Sequence, residues 1–107
     1  MRRTREKILE ERRQVKQQYG ELFTAVEALL FRTDPIGINF DDNTDEYAAE
    51  TGTILPRLKK CKAPEDVMVV VHEEFVRWFG VETAGPMSKY WSIGFEIWEL
   101  WKQHNLR

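Results

Sequence analysis

The sequence predicts an all-α fold: a single compact domain of about four helices, with an irregular acidic loop between the first and second. Three observations carry that expectation. Apolar residues recur at spacings of three and four along most of the chain. Pro35, Pro64, Gly80 and Pro86 fall where helices are expected to begin or end. The 107 residues, 42% apolar and 32% charged, suffice for one core with a charged exterior but not for two.

The first helix is expected from about Thr4 to Phe31. Val15, Tyr19, Leu22, Val26 and Leu29 follow one another at four, three, four and three residues, which places them on one stripe. Upstream of Val15, Arg, Lys, Glu and Gln dominate, so residues 1–18 read as a projecting or frayed half-helix. Gly20 weakens the middle by about 1 kcal/mol relative to alanine and marks a break point. Asp34-Pro35 ends the helix, because proline drives the residue before it out of the helical region.

Gly37, Asn39, Asp41, Asp42 and Asn43 then compose a connection rich in turn formers, pinned by Ile36, Ile38 and Phe40. Thr44 is a suitable N-cap for a second helix, and Asp45 and Glu46 put negative charge at its positive end. Tyr47, Thr51, Ile54, Leu55 and Leu58 share a face of it, and Tyr47 and Phe40 are expected to help lock the loop onto the body. Pro56, whose ring meets the carbonyl of Gly52, predicts a kink. The third helix runs from Pro64 at N1 to Gly80 at C′, with Val67, Met68, Val71, Phe75, Trp78 and Phe79 on its apolar side. After a turn at residues 81–85, Pro86 and Ser88 open a fourth helix that ends near Asn105. Met87, Tyr90, Trp91, Gly94, Phe95, Ile97, Trp98 and Trp101 cover more than half of its circumference.

Charge is nearly balanced, at a formal −2, but unevenly placed. Residues 1–18 hold seven Arg and Lys against three Glu, and residues 33–54 hold six carboxylates and no cation. The interleaved Glu6, Glu10 and Glu11 are what a solvated helix with i,i+4 pairs requires, and they argue against nucleic acid as a partner. No apolar run is long enough to span a bilayer, and no apolar leader follows the charged N-terminus, so membrane association is not expected. One cysteine, Cys61, excludes an intrachain disulfide and favours a cytoplasmic address.

Asp34-Pro35-Ile36-Gly37, a short gap, then Asp45-Glu46-Tyr47 opening a helix resembles a group of small bacterial helical proteins of unknown function. The resemblance covers roughly residues 26–80. It implies a small helical domain, brings no catalytic residues, and implies an accessory or immunity-type role for some members.

Chemistry is sparse. Asp41, Asn43 and Asp45 match the first ligand positions of a calcium loop, but Glu46 stands where glycine is needed and Gly52 where the bidentate glutamate belongs. His72-Glu73-Glu74 lacks the second histidine of a zinc helix, since position 76 is valine, and His72 reads as a boundary residue. Cys61 has lysine neighbours but no histidine or carboxylate close in sequence, and reads as the small residue ending the second helix. Neither catalytic residues, a metal nor a cofactor is expected. What remains is a surface for a protein partner or for self-association: Asp34, Asp41, Asp42, Asp45 and Glu46 on the acidic segment, and Trp91, Trp98 and Trp101 on the last helix. The alternative is a small metal-dependent enzyme that gathers the Asp34–Glu46 carboxylates in a pocket.

Overall fold

The stripe that joins Val15 to Leu29 survives in the structure, but the backbone beneath it is broken. In the computed structural model, which describes residues 5–37 and 47–106, α1 spans Arg5–Tyr19 and α2 spans Glu21–Thr33. Between them Gly20 adopts φ +50°, a conformation glycine enters without a Cβ penalty. Tyr19, Leu22, Val26 and Leu29 are buried and Val15 is half-buried, so the spacing identified the right face on both sides of the break.

Asp34 caps α2 in the left-handed region at φ +46°, donating its N–H to Leu30 O at 2.8 Å. Aspartate is among the few residues that tolerate this conformation. The second predicted helix appears as α3, Ala48–Ile54, continuing into a 3-10 segment, Leu55–Lys60. The tightening falls just before Pro56, where the proline ring forbids a regular α turn. The expected start at Thr44 or Asp45 lies outside the described residues. α4, Pro64–Phe79, begins and ends at the proline and glycine that the sequence nominates. The β-prone run Val67–Val71 is helical throughout.

The expected turn at residues 81–85 contains one helical turn, α5, Val81–Ala84, bounded by Gly80 and Gly85. A 3-10 segment, Met87–Tyr90, then leads directly into α6, Trp91–Asn105. The described residues therefore form six α-helices and two 3-10 segments, where about four helices were expected. The surplus comes from breaks within predicted helices and from one short turn, not from a different architecture. No strand occurs among the described residues.

The core lies between α2, α4 and α6, closed by α3 and its 3-10 extension. Phe23, Val26, Leu30, Ile54, Leu55, Leu58, Val67, Val71, Phe75 and Ile97 are fully buried there. α4 and α6 share the most extensive contact between helices among the described residues. A Cβ built on Gly94 would stand 2.7 Å from Met68 N and 2.8 Å from Met68 Cα, so the two backbones touch where α6 has no side chain. α1 lies across α2 and α3. The radius of gyration, 13.2 Å, is close to the value of about 13 Å expected for a single domain of this length. No helix among the described residues is long and apolar enough to cross a membrane.

Candidate functional site

Asp34 is the one nominated carboxylate of the acidic segment that lies among the described residues, and it is engaged from within. Tyr47, fully buried, donates its hydroxyl to Asp34 Oδ1 at 2.6 Å and accepts the Ile36 N–H at 3.4 Å. The Tyr47 ring lies 6.0 Å from that of Phe75. One side chain at the head of α3 thus holds both arms of the Asp34–Gly37 turn against the core. The sequence expectation that Tyr47 locks this segment is met. Phe40, the second expected anchor, lies outside the described residues, as do Asp41, Asp42, Asp45 and Glu46. Among the described residues no group of three or more His, Cys, Asp or Glu side chains is placed to hold a metal ion.

The aromatic residues at the C-terminus are sorted by helical phase. Tyr90 is fully buried and donates its hydroxyl to Ala84 O at 2.5 Å, and burial pushes its pKa up to about 12. Trp101 is half-buried, with its ring 6.4 Å from Tyr19 and stacked on His104. Trp98 is also half-buried, with Lys102 Nζ 6.0 Å from its ring. Trp91 and Phe95 face outward, 44% and 45% exposed, with ring centroids 6.3 Å apart, and Met87 is 38% exposed. Of the three nominated tryptophans, Trp91 alone is mainly a surface residue, and Phe95 is its partner there.

A second region escaped the sequence reading. α1, α3, the 3-10 segment and α4 enclose a cleft of about 540 Å³ lined in part by Arg12, Thr53, Arg57, Glu74, Arg77 and Trp78. Glu74 is fully buried. Arg57 spans two carboxylates, with Nη1 2.9 Å from Glu74 Oε2 and Nη2 2.6 Å from Glu73 Oε1. The Glu73 hydrogen bond foremost, then that of Glu74, holds the Arg57 pKa above its ordinary value, against the opposing effect of burial. Arg77 Nη1 approaches Glu74 Oε2 at 3.7 Å. Two atoms of residues that line this cleft are left over: Glu74 Oε1 and Arg12 Nε are shut off from solvent without a hydrogen-bond partner. A buried polar group left in that state costs roughly 1–3 kcal/mol, more when charged.

The two reactive-looking side chains take structural positions. His72 Nε2 lies 3.0 Å from Gly85 O, which ties α4 to the turn after α5, and its ring packs against Tyr90. Cys61 follows the last residue of the 3-10 segment, as expected of it. Burial, then the nearby Asp66 charge, raises its pKa, with Arg57 opposing, so the thiol is held in its unreactive form.

The described residues thus present exposed aromatic area on α6 and a cleft lined by three arginines, two glutamates and Trp78 among others. Comparison of the chain with protein-family models, with curated proteins and with solved structures finds no match.

Proposed function

We propose that this protein is a non-catalytic binding protein that engages a protein partner through the outer face of α6. The supporting observation is the pair Trp91 and Phe95, more than two-fifths exposed and in contact with each other on a helix whose other side is core. Aromatic side chains cover a large rigid area at small entropic cost, and they dominate the energetics of protein interfaces. Their i,i+4 spacing, extended by Trp98, forms a helical ridge, which suits the groove of an amphipathic helix.

The carboxylates Asp41, Asp42, Asp45 and Glu46 favour a cationic partner by long-range steering. A basic, helix-presenting protein is accordingly the occupant proposed. An accessory or immunity-type role, as in the bacterial proteins that the Asp34–Tyr47 string resembles, belongs to the same reading, as does a cytoplasmic setting.

Fluorescence titration with a lysine-rich amphipathic helical peptide and with a glutamate-rich peptide of equal hydrophobicity tests it. The lysine-rich peptide should bind, weaken as salt rises, and lose at least about tenfold in affinity on Trp91→Ser with Phe95→Ser. Equal binding of both peptides, or a wild-type dimer that the double substitution dissociates, would replace the basic partner with a different one.

A further inference from the structure

α1 has little apolar hold on the rest of the molecule. Of its side chains whose exposure the structure describes, Tyr19 alone is buried, and Tyr19 adjoins the break at Gly20. Its ring stands 6.4 Å from Trp101 and 6.2 Å from His104, so the break end of the helix is anchored on α6. Glu11, Arg12 and Val15 are half-buried, and all three line the cleft of about 540 Å³. Over that stretch the helix borders a cavity where a packed helix would border side chains. Leu9, one turn further out, is 41% exposed. Segments with so few buried apolar contacts open before the core does.

A polar group on α1 points the same way. Arg12 Nε is shut off from solvent without a hydrogen-bond partner. That cost lasts while the helix is docked, and water relieves it once the helix leaves.

Two glycines define the motion. Gly20 takes φ +50°, and a Cβ built there would meet nothing within 4 Å, so no neighbour crowds the joint. A residue of that kind absorbs a change of backbone angle at small cost. Gly52 on α3 is the seat. The three atoms nearest a Cβ built on it all belong to Arg12, at 3.5 to 3.9 Å, so a side chain there would meet α1 first.

We propose that α1 is a lid hinged at Gly20, which detaches from α3 and the 3-10 segment as one unit while α2 to α6 stay folded. Its departure removes the wall formed by Glu11, Arg12 and Val15 and turns the cleft into an open groove bordered by Gly52, Thr53, Pro56 and Trp78. The lid does not depend on the α6 face.

Hydrogen exchange on the wild-type protein is the first test. Amides of residues 9–16 should exchange together, at least about a hundredfold faster than those in the middle of α4. Low urea should leave the fast set unchanged, since detachment exposes little surface. The second test is the distance between nitroxides on Leu9→Cys and Ser92→Cys, with Cys61→Ser, read by pulsed electron resonance. A docked distance and a second, broad population are expected. Gly52→Leu, as a wedge beneath Arg12, should enlarge the second population at least about fivefold, and Ala28→Leu, on the exposed side of α2, should not. Four results would overturn the lid: α1 amides as protected as those of α4, protection that rises stepwise from Arg5 as in simple fraying, a wedge that leaves the distances unchanged, or a wedge that strips protection from α4 and α6 along with α1.

Discussion

The Asp34–Tyr47 contact and the Arg57–Glu74 cleft both bury polar side chains, but they finish differently. At the first, the Tyr47 hydroxyl donates to a carboxylate and accepts from a backbone N–H, so both of its capacities are used. At the second, Glu74 has one oxygen shared between two arginines and the other unpaired. A closed set of hydrogen bonds contributes to fold stability and specificity. An open set stores a cost that only movement or a ligand can relieve. The first region is closed by its own hydrogen bonds, and the second is not.

Breaking the two regions should separate them. Arg57→Met leaves Glu74 buried with a distant Arg77, and a loss of about 3 kcal/mol in urea unfolding is expected. Adding Glu74→Met should recover most of that loss, because an apolar pair of similar volume removes the stranded charge. A double variant as unstable as the single one would show that Glu74 is not the source of the loss. Tyr47→Phe removes one hydroxyl from the closed set and should cost about 2 kcal/mol. Loss of protection at the Ile36 amide in hydrogen exchange would show that the loss is local to the turn.

Tyr90 sharpens the comparison as a second satisfied hydroxyl, and here pH is the probe. Its folded pKa, about 12, lies above the usual tyrosine value of about 10. Between those values the unfolded chain has lost the proton and the folded one has kept it. The stability that Tyr90 contributes is thus complete below pH about 10 and is lost as pH rises toward about 12, a decline of roughly 2 kcal/mol. Tyr90→Phe should flatten that part of the pH profile. An unchanged slope would assign the alkaline transition to other groups.

Most of the fold was legible because helical periodicity is a local signal. Val15 through Leu29, Pro64 through Gly80 and the kink before Pro56 could each be read within a few turns of chain. Tyr47 was legible as an anchor because a large aromatic residue stood at a helix start beside a polar loop. The cleft was not. Arg12 belonged to a run of solvated charge, Arg57 stood near Lys59 and Lys60, and Glu74 belonged to a failed zinc motif. Nothing local marks an ion pair between residues 17 positions apart. Glu74 and Val70 replaced Trp78 on the buried side of α4, a shift that the Arg57 partner makes tolerable. α5 also passed unseen, because a single helical turn has no period to detect.

Gly94 sets the heading of everything else on α6. A rotation by one residue, about 100° about the helix axis, would bring Ile93 or Phe95 to a seat with no room for a methyl group. The helix is keyed in its socket like a shaft with one flat side. Trp91 and Phe95 owe their outward aim to that key, so a visitor to the aromatic ridge must shape itself to α6 and cannot turn the helix to meet it.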